Sequence, residues 1–234
     1  MKIGVVTFPG SNCDADARYG ATVTGNDAIQ LWHKETSLPL GLDVIILPGG
    51  FSYGDYLRTG AIARFSPIMN EVLRFANSGG LVLGICNGFQ ILCESGLLPG
   101  GLIRNENLSF VCKDVHLRVE NSVTPFSCTV KLGTVLRVPV AHGDGRFTAP
   151  QETIDRIEGN GQVLYRYTTA TGDATPESNP NGSIHNIAGI INERGNVMGM
   201  MPHPERACEP ILGSADGVSV FASLDLHVAH SILI

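Results

Sequence analysis

The first part of the chain alternates short apolar runs with segments in which apolar residues recur at helical spacing. The run Leu81 to Ile85 is continuously hydrophobic, which is typical of a strand buried on both faces of a parallel sheet. Helices are expected after the first strand, after Ser66-Pro67 and over Asn87 to Glu94. Strands alternating with helices predict a doubly wound parallel sheet, with sites at the carboxyl ends of its strands. The other predicted strands of this part are Ile3 to Phe8, Asp27 to Trp32 and Asp43 to Leu47, and the candidate helix N-caps are Ser11, Asn12, Asp14 and Ser66.

After Gly100-Gly101 the pattern changes to short segments of alternating hydrophobicity. The segments Leu108 to Cys112, His116 to Glu120 and Val135 to Val140 are typical of antiparallel strands, and Ile187 to Ile191 with Val197 to Met201 predicts a hairpin. The stretch from Thr168 to Ser183 is rich in Thr, Asn, Pro and Gly, so it is expected to be a loop. The fold class predicted is therefore α/β, with a mostly parallel central sheet and a small antiparallel addition.

Composition narrows the class of protein. The 234 residues are 43% hydrophobic, and the 28 Gly and 13 Pro form no long linker tract, so we expect one domain over residues 1–234. The formal net charge of -6, with scattered Lys and Arg, gives no basic stripe and argues against a nucleic-acid partner. The six cysteines include no C-x-x-C pair, which argues against zinc, and no metal ligand is expected.

The chain shows no sign of export or membrane insertion. The apolar run between Lys2 and Pro9 is too short for the hydrophobic region of a signal peptide. No run approaches the roughly 20 apolar residues of a membrane span. A cytoplasmic, reducing location with no membrane partner is the expectation.

Cys86 is the first candidate for chemistry. It follows the predicted strand Leu81 to Ile85 and precedes a predicted helix, with Gly84 and Gly88 two residues away on either side. Glycines at these places remove Cβ atoms that would clash in a sharp strand-to-helix turn, which is the logic of a nucleophile elbow. The helix N-terminus also favours a thiolate. The alternative is that Cys86 is a small hydrophobe ending a core strand.

His203 and Glu205 are candidates for a base and the group that orients it. Pro202 and Pro204 are expected to hold the segment extended, because each proline disfavours helix at the preceding residue. His203 and Glu205 would then project to the same side, about 6.6 Å apart along the strand direction. A catalytic thiol needs such a pair. His142, in a Gly-rich loop, is a weaker candidate for ligand contact.

Backbone donors are expected beside the cysteine. The glycines after the third strand would let backbone N–H groups approach a ligand, so the N–H groups of Gly50 and Asn87 are candidates for an oxyanion hole. The alternative is a tight turn that merely needs positive φ.

The sequence resembles the class I, or triad-type, glutamine amidotransferases in Gly84-Ile85-Cys86-Asn87-Gly88-Phe89-Gln90 and His203-Pro204-Glu205. Longer motifs are similar to the family of glutaminase subunits of phosphoribosylformylglycinamidine synthase. These motifs are Phe8 to Asp14, Pro48 to Arg58, Ala141 to Phe147, Asn179 to Ser183 and Met200 to Arg206. The resemblance covers residues 3 to about 224. It assigns no role to the loop 168–177 or to the tail after Ser223.

The resemblance implies a flavodoxin-like α/β/α fold and hydrolysis of glutamine to glutamate and ammonia in de novo purine (IMP) biosynthesis. It implies that Cys86 attacks the side-chain amide to form a thioester, His203 acts as base and then acid, and Glu205 orients His203. Gly50 and Asn87 would stabilise the oxyanion, and Gln90 would help seat glutamine. The ammonia would pass to a large synthase subunit, PurL, accompanied by a small subunit, PurS. ATP and magnesium would belong to that partner, and this chain, which lacks a Gly-x-x-x-x-Gly-Lys loop, would carry no cofactor.

Two other functions remain open at this point. A γ-glutamyl peptidase or protease-like hydrolase would share the Cys86 elbow, and comparing glutamine with γ-glutamyl peptides as substrates separates it. A catalytically silent regulatory or binding module on the same fold is the second, and labelling by a glutamine-analogue affinity reagent separates that one.

Overall fold

The computed structural model describes residues 1–231, with five α-helices and eleven strands assigned in that range. The helices are α1 (Asp14–Val23), α2 (Pro67–Asn77), α3 (Asn87–Glu94), α4 (Gln151–Gly159) and α5 (Val218–Ser231). The strands are β1 (Lys2–Thr7), β2 (Asp27–Trp32), β3 (Val44–Leu47), β4 (Leu81–Ile85), β5 (Gly101–Ile103), β6 (Val111–Val119), β7 (Val135–His142), β8 (Arg146–Thr148), β9 (Val163–Thr168), β10 (Ile187–Ile191) and β11 (Val197–Met200).

One large mixed sheet organises the fold. Its strand order is β2-β1-β3-β4-β11-β10-β9-β6-β7, and the strands from β2 to β11 in that order pair in parallel. The pairs from β11 onward are antiparallel, and β5 and β8 form a separate two-stranded antiparallel sheet. The predicted fold class is confirmed, and so is the hairpin of β10 and β11.

The centre of the sheet is apolar because its strands are covered on both faces. Every residue of β3 and β4 is buried, as their continuous hydrophobic runs predict. Helix α3 lies directly on this region, and glycine makes the close approach possible. A Cβ at Gly88 would lie 1.9 Å from the carbonyl oxygen of Leu47, and one at Gly84 would lie 2.7 Å from the carbonyl group of Gly88. The glycines around Cys86 thus fix how closely the helix packs on the sheet.

Several local predictions are wrong in detail. The N-cap of α1 is Cys13, whose side chain makes no capping bond, rather than Ser11, Asn12 or Asp14. Ser66 is the N-cap of α2, as predicted, but its hydroxyl bonds the Tyr53 hydroxyl at 2.8 Å instead of capping the helix. The two strands expected around Cys112 and His116 are one strand, β6, which runs without a break through the charged residues Lys113 and Asp114.

Parallel pairing explains where a site can form. Strands β1, β3, β4 and β11 are neighbours and all point the same way, so the segments that follow them meet at one edge of the sheet. These segments contain Cys13, Gly50, Cys86 and His203. Within residues 1–231 no helix combines the length and apolar character that crossing a bilayer requires.

Candidate active site

Cys86 occupies a strained turn at the end of β4. Its φ of 51° and ψ of -105° lie where L-residues are uncommon, and it is the N-cap of α3. Such a conformation costs on the order of 1–3 kcal/mol and persists only where the surroundings enforce it. The Cys86 N–H donates to the Met200 carbonyl at 2.8 Å, which anchors the turn to β11. The elbow geometry predicted for Cys86 is therefore present, with a buried sulfur at the helix N-terminus.

His203 and Glu205 form a buried pair close to this turn. The His203 Nδ1 lies 2.6 Å from Glu205 Oε1, and both side chains are almost completely buried. The prediction that the segment is extended is wrong after His203, because Pro204–Arg206 is a 3₁₀ turn with proline at its first position. The turn still brings both side chains together, and Gly20 on α1 leaves room for the Glu205 backbone.

The pairing of β4 with β11 explains how residues 117 positions apart in sequence come together. Ile85 is the register partner of Met200, so the chain leaves both strands at the same level of the sheet. The His203 N–H is held by the Pro139 carbonyl at 2.8 Å, which adds a second anchor from β7. Regular strand pairing thus places the imidazole beside the thiol.

Electrostatics favour a charged imidazole here. Burial alone would lower the pKa of His203, but the negative charges of Glu205 and of a Cys86 thiolate outweigh burial and raise that pKa to about 10. The His203 Nε2 atom is buried and has no hydrogen-bond partner within the described part of the chain. With Nδ1 held by Glu205, Nε2 is the nitrogen free to exchange a proton with a thiol or a substrate.

A second thiol, Cys13, lies close to the same imidazole. Its sulfur and the ligating atoms of His203 and Glu205 are all within 4.8 Å of one another. Burial raises the pKa of the Cys13 thiol to about 12, although the Arg206 guanidinium, 3.1 Å from the sulfur, opposes that rise. A thiol with that pKa is protonated at neutral pH and is a poor nucleophile.

By atom type, Cys13, His203 and Glu205 could also bind a metal ion. Binding would require breaking the short His203–Glu205 hydrogen bond, and it would place a cation beside the Arg206 guanidinium. Like charges at this spacing repel strongly in a buried site. The donor set is better suited to a proton relay than to a metal.

A small cavity leads to Cys86. Its volume is about 170 Å³, well below the roughly 300 Å³ at which pockets for drug-sized ligands begin. The residues lining it come from the segments after β3 and β4, from the end of β7 and the loop after it, and from Phe110: Gly50, Phe51, Asp55, Thr59, Cys86, Gln90, Phe110, Ala141, His142, Gly143 and Asp144. Its size fits a ligand such as a single amino acid.

Of the other predicted contact residues, Gln90 lines this cavity, and Asn87 is hydrogen-bonded to Gln90. Asn87 accepts a hydrogen bond from the Ser52 N–H at 3.3 Å and donates to Gln90 Oε1 at 2.9 Å. Gln90 Nε2 in turn donates to the Asp144 carbonyl at 2.7 Å. The Asn87 side chain therefore ties the loop after β3 to helix α3, and Gln90 ties α3 to the loop after β7.

Gly50 lines the same cavity with a backbone that only glycine adopts readily. Its φ is 128°, and a Cβ there would lie 2.7 Å from the Asn12 nitrogen. The N–H of Asn87 belongs to the first turn of α3, where backbone donors have no partner within the helix. Gly50 thus lines the cavity, and the Asn87 N–H directly follows Cys86 at the start of α3.

His142 also faces this cavity. It is 3% exposed, burial and the nearby His203 lower its pKa to about 4, and its Nδ1 has no partner among residues 1–231. Its Nε2 lies 3.4 Å from Asn181 Nδ2. A neutral imidazole with one open nitrogen fits the ligand contact expected for His142.

Comparison with known proteins identifies the family. A family model described as CobB/CobQ-like glutamine amidotransferase domain matches residues 1–217. The phosphoribosylformylglycinamidine synthase subunit PurQ of Salinibacter ruber is 60% identical over 229 residues, covering 97% of each chain. The chain belongs to the PurQ family of glutamine amidotransferases. PurQ of Rhodopseudomonas palustris is 57% identical over 230 residues, covering 98% of this chain and 99% of that relative.

A solved structure of PurLQS from Thermotoga maritima contains a chain with the same fold. That chain is 43% identical to this one, the TM-score is 0.86, and the match covers 97% of this chain and 98% of that one. Membership in the PurQ family confirms that the protein is a glutamine amidotransferase and confirms the function class implied by its motifs.

Three further residues of this region, Cys13, Asp55 and Arg206, were not predicted from the sequence. A signal for Cys13 was available, because it closely follows a predicted buried strand and the carboxyl ends of parallel strands share one edge. Arg206 pairs with Asp16 at 2.9 Å as well as touching Cys13, a contact between distant segments that no local pattern indicates.

Proposed function

We propose that this chain is the glutaminase subunit of phosphoribosylformylglycinamidine synthase, with Cys86, His203 and Glu205 as its catalytic triad. One observation carries the assignment of residues: Cys86 sits in a strained elbow on the wall of a cavity of amino-acid size, beside the buried His203–Glu205 pair. The PurQ relatives support the reaction, and the geometry supports the choice of nucleophile.

In the first half-reaction, the Cys86 sulfur attacks the side-chain carbonyl carbon of glutamine. A carbon–sulfur bond forms, the carbon–nitrogen bond breaks, and His203 Nε2 gives its proton to the departing ammonia. In the second half, water attacks the thioester and loses a proton to His203. Glutamate leaves and the Cys86 thiolate is restored. Glu205 keeps Nδ1 protonated and the ring oriented throughout.

The tetrahedral intermediates carry a negative oxygen that needs donors. We assign this role to the backbone N–H groups of Gly50 and Asn87, because Gly50 lines the cavity that contains Cys86 and Asn87 directly follows Cys86 in the first turn of α3. One such donor is worth on the order of 10²–10³ in rate. Gln90, held by Asn87 and by the Asp144 carbonyl, would shape the substrate cavity next to it.

Large apolar side chains are exposed on two cavity-lining residues, Phe51 and Phe110, and on residues close to them in sequence. Phe51, Tyr56, Leu57, Leu108 and Phe110 are between 45% and 89% exposed, and the rings of Phe51 and Phe110 lie 6.5 Å apart. Large exposed apolar side chains beside a site are typical of a protein-binding face. We propose that the synthase subunits PurL and PurS dock here, that PurL uses ATP and magnesium, and that ammonia passes to it. A cytoplasmic location follows from that pathway.

The proposal is tested with the purified complex of this chain and its synthase subunits. Cys86→Ala should abolish glutamine-dependent synthesis while synthesis supplied with free ammonium persists, because the thiol is needed only to liberate ammonia. Cys13→Ala is the matched control, a buried thiol next to the same imidazole, and it should retain glutamine-dependent activity. Equal loss of both activities in Cys86→Ala would make Cys86 a structural residue.

Docking is expected to raise the glutaminase rate. A misplacement of catalytic groups on the order of 1 Å can cost about a hundredfold in rate, and the loop after β3 carries both a proposed oxyanion donor and part of the exposed apolar surface. A partner that binds the competent loop conformation raises its population. Steady-state glutamine hydrolysis should be slow for the isolated chain and faster with the synthase subunits, nucleotide and acceptor present. Equal turnover would favour a free-standing hydrolase, which γ-glutamyl peptide substrates would then test.

A further inference from the structure

Asp55 presents a carboxylate to the catalytic cavity. It belongs to the loop after β3 and lines the cavity together with Cys86 and Gln90. Its Oδ1 atom is fully buried and has no hydrogen-bond partner in the part of the chain that the structure describes. A buried carboxylate oxygen without a donor is costly unless a ligand supplies one.

Asp144 lines the same cavity and adds a second negative charge. Burial and the nearby Asp144 carboxylate raise the pKa of Asp55 to about 6. Asp144 already has a cation close by, because its Oδ1 lies 3.8 Å from Arg104 Nε. Asp55 forms no ion pair among residues 1–231, so of these two carboxylates it is the one without a nearby cation.

Glutamine supplies the missing charge. Its α-ammonium group lies four bonds from the carbonyl carbon that Cys86 would attack, a span that a cavity of about 170 Å³ accommodates. An ammonium group has three donors and a full positive charge, which suits a half-buried carboxylate whose buried Oδ1 has no donor.

We propose that Asp55, assisted by Asp144, binds the α-ammonium group of glutamine and makes that group a requirement for a good substrate. This inference rests on the proposed glutaminase function of the same cavity. It assigns Asp55 a role in substrate specificity, distinct from the thiol chemistry of Cys86 and His203.

The test measures glutamine hydrolysis by the complex with synthase subunits, for the wild type and for Asp55→Asn, using L-glutamine and glutaramate, the analogue that lacks the α-amino group. Charge-assisted hydrogen bonds are worth roughly 1.5–3 kcal/mol, which corresponds to a preference of about 10–150-fold. The wild type should have a kcat/KM for glutamine that exceeds the value for glutaramate by a factor in or above this range, that is, by about tenfold or more. Asp55→Asn should lose most of the preference, mainly through a higher KM for glutamine.

Two controls separate this role from a structural one. Asp155→Asn, on the exposed face of α4, removes a carboxylate far from the cavity and should keep the wild-type preference. Asp55→Asn should also unfold at a temperature equal to or above that of the wild type near pH 7. A carboxyl with a raised folded-state pKa opposes folding when it is ionised, and this effect disappears as pH falls below about 4, where the carboxyl is protonated in both states.

The outcomes are distinguishable. If the wild type hydrolyses glutamine but Asp55→Asn keeps the full preference for glutamine, or loses both substrates equally, the inference about Asp55 is wrong and the glutaminase function stands. If the wild type in its complex releases no ammonia from glutamine, the proposed function itself fails, and with it the basis for assigning Asp55.

Discussion

Gly49→Ala should impair catalysis without disturbing the fold. Gly49 is buried two residues after β3, and its φ lies outside the left-handed region, so alanine is compatible with its backbone. A Cβ there would lie 2.7 Å from His203 Cε1 and 3.2 Å from Cys13 Sγ. The added methyl group therefore presses directly on the catalytic imidazole.

The size of the effect follows from these distances. The imidazole must move by about 0.7 Å to restore an ordinary contact of 3.4 Å. The 2.6 Å hydrogen bond between His203 Nδ1 and Glu205 Oε1 would be stretched, and His203 Nε2 would be displaced from the Cys86 thiol. Since a misplacement of about 1 Å costs on the order of a hundredfold, we expect the glutaminase rate to fall by roughly tenfold to a hundredfold.

The assay is steady-state ammonia release by the complex, paired with thermal unfolding of the variant chain. Gly159→Ala is the matched control, because a Cβ at that exposed helical position meets nothing within 4 Å. It should leave both rate and stability close to wild type. A Gly49→Ala rate within twofold of wild type, with the protein folded, would refute the placement of the working imidazole beside Gly49.

Further variants test other parts of the site. His203→Ala should lose nearly as much glutaminase activity as Cys86→Ala. Glu205→Ala should retain roughly tenfold more activity than His203→Ala, or higher still, when ammonia release is measured. Gly88→Ala should destabilise the chain by about 1–3 kcal/mol or more in urea unfolding, because its Cβ would lie 1.9 Å from a backbone oxygen. In the wild type, kcat/KM for glutamine should fall as pH drops through about 6, because Asp55 in the free enzyme gains a proton there and loses its negative charge. Asp55→Asn should not show this fall in kcat/KM near pH 6.

Much of the parallel half of the sheet was predictable because its strands are continuous hydrophobic runs. The boundaries of β2 and β4 agree with prediction, and α3 spans the predicted residues. Helix α4 was missed because only Ile154 and Ile157 are buried in it, which leaves too little periodicity to indicate a helix. Strand β6 was read as two segments because Lys113 and Asp114 interrupt its alternation on an exposed stretch.

The candidate triad could be named from sequence, but its assembly could not be derived from it. Motif spacing singles out Cys86 and His203 separately, and only the register of Ile85 with Met200 places them together. The partners of Cys13 depend on the order of β1, β3, β4 and β11 in the sheet, which local pattern does not determine. Asp55 could not be predicted from the sequence, because its unpaired, buried Oδ1 atom arises only when the loop is folded.

The central claim is that Cys86, and not the neighbouring Cys13, forms the covalent bond with glutamine. The most direct measurement is mass spectrometry of the complex after reaction with a diazoketone analogue of glutamine, followed by peptide mapping of this chain. We predict one adduct on the peptide containing Cys86, retained in Cys13→Ala and absent in Cys86→Ala. An adduct on Cys13, or undiminished labelling of Cys86→Ala, would contradict the assignment.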